Sequence, residues 1–167
     1  VRTSSSHGGP SQKAPSEATN PSGGVAAKRP FGGFRYALTQ GWREVEPIEF
    51  RDVNLRAGEA VEAWVTRIGR GLDEAEQRAN LNRWARQAGV SPETLSLETL
   101  PRVAWLGGEA LMVDLQEAQS GASIPNRSLI RAVFLDDQAV FARMKGPSPE
   151  VAQYEQDFVR FCDSLAA

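Results

Sequence analysis

Cysteine and histidine are almost missing from this chain of 167 residues: Cys162 and His7 are its only representatives. One cysteine excludes an intramolecular disulfide. One histidine, set in a polar N-terminal stretch, excludes a Cys–His pair, a Ser–His–Asp triad inside a folded domain and a Cys/His zinc site. Long apolar runs are missing as well, and none approaches the ~18–20 residues of a membrane-spanning helix. Lysine occurs only at 13, 28 and 145, every other basic residue being arginine. Codon usage in a GC-rich genome accounts for this without an arginine-specific role. A basic face is also lacking. Residues 1–30 carry Arg2, Lys13, Lys28 and Arg29 against Glu17, a balance of +3, so the remainder carries −5 of the total of −2. A mildly acidic domain is a poor ligand for phosphate backbones, and no nucleic acid is expected among its partners.

What is present suits one globular domain with a polar leader. The chain is 41% hydrophobic and 24% charged. Residues 1–30, rich in Ser, Gly, Pro, Ala and Asn, contain no aromatic residue and no apolar periodicity. They cannot bury enough surface to offset chain entropy and are read as a flexible tether. Val1 is not methionine, so the chain is expected to follow a removed leader or to be cut from a longer one. The folded domain is expected over 31–167.

Within it, strands are expected at 34–38, 47–55 and 60–68. In the last, Val61, Ala63 and Val65 alternate with Trp64 and Ile68, which marks a central strand covered on both faces. "RVAWL" (102–106) and "EALMVDLQ" (109–116) flank Gly107-Gly108, and "SLIRAVFL" (128–135) and "QAVFARMK" (138–145) flank Asp136-Asp137, which gives two hairpins. Ser91 and Pro92 open a short helix over 91–95. Ser148 is expected to cap a final helix, with Pro149 at its first position and Val151, Tyr154, Phe158, Phe161 and Leu165 as its apolar stripe. Strands, a helix, two hairpins and a helix predict an α+β sandwich around a mostly antiparallel sheet.

The chemistry-bearing residues are few. "IGRGLDEAE" has neither the spacing nor the lysine of a phosphate loop and reads as a strand-to-helix connection. Asp136-Asp137 lacks an EF-hand pattern and suits a turn. Cys162 follows a stripe residue and reads as a buried small hydrophobe. No catalytic residue, no metal and no cofactor are therefore expected. The distinctive stretch is "ANLNRWARQAGV" (79–90), part of a helical region over 73–88 that Gly89 ends. Leu81, Trp84, Ala85 and Ala88 fall within about 100° on a helix, and Asn80, Arg83 and Gln87 within about 60° on an adjoining face. Leu72, Ala75 and Ala79 make a different stripe, which predicts a break at Asn80. The polar trio either fastens the helix to neighbouring loops or forms a binding surface. With Asn82 it gives the candidate binding residues Asn80, Asn82, Arg83 and Gln87.

Several pieces together resemble a bacterial family of exported or lipid-anchored proteins with the PsbP-like fold. They are "FRYALTQGW", the block Asn80, Asn82, Arg83, Trp84, Gln87 and Gly89, the strand end "FARMKG" with Arg143 where the family has lysine, and the closing "FVRFCDSL". The chain departs from the family before the block, where "RIGRGLDEAEQRA" replaces a glycine-rich stretch. The resemblance implies an α/β/α sandwich with an antiparallel sheet and no established reaction. Its expected role is a non-catalytic accessory domain, periplasmic or otherwise extracytoplasmic, held at the membrane only through an upstream anchor. It would dock on subunits of a larger membrane complex, an electron-transfer one among the candidates. The alternative is a carrier of a small ligand or lipid, in which Trp42, Trp64, Trp84 and Trp105 would surround a cavity. A third, an enzyme using arginine, asparagine and carboxylates, requires Arg83 and Asp114 to meet in one cleft.

Overall fold

The computed structural model describes residues 26–28, 33–46, 48–118, 121 and 123–166. A short ribbon pairs β1 (Ala26–Lys28) with β2 (Arg35–Ala37). The main sheet takes β3 (Trp42–Glu44), β4 (Val53–Ala57), β5 (Val61–Ile68), β6 (Arg102–Trp105), β7 (Gly108–Gln116), β8 (Asn126–Phe134) and β9 (Ala139–Pro147). These seven stand in the order β3-β4-β5-β9-β8-β7-β6, and every neighbouring pair is antiparallel. Helices α1 (Glu74–Gln87) and α2 (Ser148–Ser164) pack on opposite faces of it. The α+β class with an antiparallel sheet, expected from the sequence, is what the chain forms. Of the segment read as a tether, only Ala26–Lys28 is described, and it pairs with β2; the rest of that expectation lies outside the described residues.

Alternation along β8 and β9 builds both cores at once, because successive side chains point to opposite faces. Val140, Ala142 and Met144 face α2, where they meet Val151, Phe158, Phe161 and Cys162. Ala139 and Phe141 face α1, where they meet Leu81 and Trp84. The expected stripe of α2 is buried except for half-buried Tyr154. Burying one phenylalanine of that stripe contributes about 1.5–3 kcal/mol. Cys162 is fully buried, as expected, and burial pushes its thiol up to about 12.

Several local expectations are corrected. The strand over 47–55 starts later, at Val53: residues 49–50 form a turn, and Phe50 takes a left-handed φ of 65°. The register Leu55↔Ala63 and the loop at 58–60 fix this later start. The turn between β6 and β7 is Leu106-Gly107 rather than Gly107-Gly108, with φ of 49° and 83° as a type I′ turn requires. Gly108 instead begins β7, where a Cβ would lie 2.6 Å from Leu135 Cδ2. Ser148 is not a cap; Pro147 holds that position, and the Ser148 amide donates to the Pro125 carbonyl. The helix at 91–95 is a short 3₁₀ turn, Pro92–Thr94, with no capping bond from the Ser91 side chain.

Helix α1 has no break at Asn80. Ala75 and Ala79 are exposed, so the second apolar stripe that implied one does not exist. The helix opens with a capping box, in which the Asp73 carboxylate accepts from the Glu76 amide and Glu76 accepts from the Asp73 amide. Gly89 closes it at φ 66°. Among the described residues no helix is long and apolar enough to cross a membrane. Asp73→Ala removes the carboxylate that accepts from the Glu76 amide and is expected to lower the unfolding free energy by about 1 kcal/mol, read from urea denaturation with an unchanged m-value.

Candidate functional site

The sheet is wider than the helix that covers it on the α1 side. Trp84 meets Phe141 of β9 edge-to-face at 5.1 Å, and the apolar cluster beneath α1 draws on β7, β8 and β9. The same face of β5 carries Glu62, Trp64, Thr66 and Ile68, each only half-buried. The sequence expectation of full cover on both faces of β5 is thus corrected: one face is buried under α2, and the other is open beside α1.

A cleft of about 340 Å³ occupies that open strip. Its floor is Trp64, Thr66, Ile68, Ile130, Phe141 and Arg143. Arg83, Trp84 and Gln87 of α1 form one wall, and Phe50 stands at the other side. Phe50 is 79% exposed, and its backbone is fixed from below: Thr66 Oγ1 donates to its carbonyl, and the Asp52 amide donates to the Val65 carbonyl. A non-glycine residue at φ 65° costs on the order of 1 kcal/mol, a strain found most often at functional positions.

Arg143 is the unusual member. Only 8% exposed, it sits directly opposite Trp64 in the β5–β9 register. Its Nε donates to Ser128 Oγ at 2.9 Å and its Nη1 to Gln87 Oε1 at 2.9 Å. Its guanidinium lies 5.3 Å from the Trp64 ring centre, and that of Arg51 lies 4.1 Å from the same ring. Both of its acceptors are neutral. Among the described residues no carboxylate pairs with Arg143 or with Arg83, whereas Arg51 has Glu62 at 3.6 Å. Burial first, then the like charges of Arg51 and Arg83, push Arg143 down to about 10. It stays protonated at neutral pH, so the charge is a cost to the fold there. That cost is complete below about pH 10 and lifts only above it.

The structure divides the sequence candidates. Arg83 and Gln87 line the cleft. Asn80 is buried and works within the helix, donating to the Glu76 carbonyl and accepting from Arg83. It braces Arg83 rather than facing the cleft. Asn82 is half-buried and does not line the cleft. The four tryptophans do not enclose one space: Trp42 and Trp105 fill the core under α2, Trp84 the one under α1, and Trp64 floors the cleft. Asp114 faces the α2 side, held by Arg127 at 2.9 and 2.7 Å, and so lies across the sheet from Arg83. Sequence reasoning passed over Phe50 and Arg143 as site residues and named Trp64 only as one of four tryptophans around a cavity. A signal for Arg143 was available: it is a charge in the middle of a strand, preceded by four apolar residues and followed by Met144. No group of three or more potential metal-ligating side chains occurs among the described residues.

No family model matches the chain, and no curated protein matches it. Among solved structures it is similar to a protein from Bacteroides thetaiotaomicron, with a TM-score of 0.50 and 10% identity over 80% of this chain. This chain spans 44% of that protein's length. It is also similar to LpqN of Mycobacterium tuberculosis, described as involved in cell envelope biogenesis, with a TM-score of 0.47 and 9% identity over 87% of this chain and 90% of that one. At such identities the likeness with the Bacteroides protein concerns the fold alone.

Two buried arginines of the central strands give a paired test. Arg131, 2% exposed, has Asp163 at 2.6 Å. Arg131→Met strands that carboxylate and is expected to cost about 2 kcal/mol, less than a fully buried pair because Asp163 is itself exposed. Arg143→Met gives up two hydrogen bonds but removes an uncompensated charge, so its unfolding free energy is expected within about 1 kcal/mol of wild type. Urea denaturation of both variants at neutral pH checks the contrast.

Proposed function

We propose that this domain is a non-catalytic binding module that holds a small organic ligand in the cleft between α1 and the β5–β9 floor. Of the two roles expected from the sequence, the cleft favours the carrier over the docking subunit. The observation that carries the reading is the preformed cleft itself, with aromatic side chains around a few placed polar groups, the usual make-up of a small-molecule site. Its lining contains no His, Cys, Lys, Asp or Glu, so no general acid or base faces the space. The one hydroxyl, that of Thr66, is spent on the Phe50 carbonyl. An extracytoplasmic, membrane-tethered setting is part of the proposal; the composition of residues 1–30 and the PsbP-like resemblance support it.

The test is a fragment screen of mixed charge followed on the tryptophan indole resonances. Ligands are expected to shift Trp64 and Trp84 and to leave Trp42 and Trp105, across the sheet, in place. Shifts confined to the latter pair, or none at all, would return the docking role to first place. Phe50→Gly is expected to raise stability by about 0.5–1 kcal/mol by relieving the left-handed backbone while weakening fragment binding, the opposed signs that mark strain kept for function.

A further inference from the structure

We infer that the occupant of this cleft is an amphipathic oxyanion of about a dozen non-hydrogen atoms, its acid group held by Arg143 and Arg83 and its apolar body laid against Phe50, Trp64 and Ile68. The inference rests on the cleft being a ligand site, and it adds what that ligand must be.

Charge decides the first half. Arg51 and Arg143 flank the Trp64 ring, Arg83 lines the same cleft, and of these three only Arg51 has a carboxylate at hand among the described residues. A buried guanidinium satisfied by a serine hydroxyl and a glutamine carbonyl has its hydrogen bonds in part but not its charge compensated. Its Nη2 has no acceptor among the described residues. A cationic ligand would add to the repulsion, and a neutral one would bury Arg143 further without a counter-charge. A carboxylate or phosphate group supplies both the acceptor and the charge, in the planar geometry a guanidinium prefers. Asn80 and Gln87 hold Arg83 and Arg143 in place before any ligand arrives, which lowers the ordering cost of binding.

Shape decides the second half. The volume of about 340 Å³ equals that of roughly eleven liquid waters at ~30 Å³ each. A long acyl chain or a dinucleotide exceeds it. Bare phosphate or acetate would leave the half-buried Trp64 and the exposed Phe50 ring uncovered. An acid with a short aromatic or branched apolar body covers both.

The experiment is calorimetric titration of the full chain with phenylbutyrate, phenylbutyramide and acetate at matched ionic strength and neutral pH. Phenylbutyrate is expected to bind at least about tenfold more tightly than either, since the amide lacks the charged acceptor and acetate lacks the apolar body. Arg83→Ala, at an exposed residue that leaves the core intact, is expected to weaken the acid severalfold and not the amide. Arg143→Met is expected to bring the acid to the level of the amide. Equal affinity of acid and amide, or an acid affinity unmoved in both variants, would overturn the inference and leave the cleft as a site for neutral ligands. Acetate binding as tightly as phenylbutyrate would overturn the apolar half. Failure of every probe to bind or to shift Trp64 and Trp84 would take the ligand-site reading down with it.

Discussion

The pairing of β8 with β9 is the constraint on which the rest of the molecule depends. These two strands lie at the centre of the sheet, between β5 and β7, and are apolar on both faces because a helix covers each. Their alternation leaves no solvent-facing row for charges. Each strand nevertheless buries one arginine near its middle, on opposite faces of the sheet. Arg131 points toward α2, where Asp163 meets it, and Arg143 points toward α1, where no carboxylate does. The same problem has been solved once by an ion pair and once by neutral acceptors at the margin of an open cleft. The two solutions differ in whether the charge itself is compensated among the described residues: at Arg131 it is, and at Arg143 it is not.

Cover by α1 is the second determinant. Its buried residues, Leu81, Trp84 and Ala85, recur at three- and four-residue steps and seat the helix over β7 to β9. A single helix about 10–12 Å across cannot shield seven strands spaced at ~4.8 Å. The β5 side of the sheet therefore stays open, and the polar flank of the helix, with Arg83 and Gln87, borders the opening. A bordering position explains how the same short block can both fasten the helix, through the Gln87–Arg143 bond, and present a guanidinium to the cleft.

Much of this architecture was legible in the residues. The stripe Val151, Phe158, Phe161 and Leu165 lies on the sheet as its spacing required, and the periodicity of β5 assigned its buried face correctly. What misled was local chemistry overruled by register. Pro47 and the apolar residues after it looked like a strand start, but cross-strand pairing with β5 begins only at Val53, which leaves Ile48 and Phe50 in a turn. Ala75 and Ala79 looked apolar enough to form a buried stripe, yet alanine is small and a strong helix former and is readily left in water. The site was harder to read than the fold because it joins residues 50, 64, 83 and 143, whose proximity follows from strand order. Strand order, which places β9 beside β5 across some seventy residues of chain, leaves no local trace in sequence.

The way Phe50 is mounted has an evolutionary meaning. Every bond that fixes its loop to the sheet runs through main chain or through neighbours: the Thr66 hydroxyl to its carbonyl, the Asp52 amide to Val65, and the Asp52 carboxylate to the Arg67 amide. The aromatic ring itself carries none of that load. Within the limits of a left-handed backbone, which β-branched residues fit worst, the side chain at this position can vary in size and polarity while the loop keeps its path. One codon can therefore alter what lies across the mouth of the cleft while the sheet that holds Arg143 stays as it is.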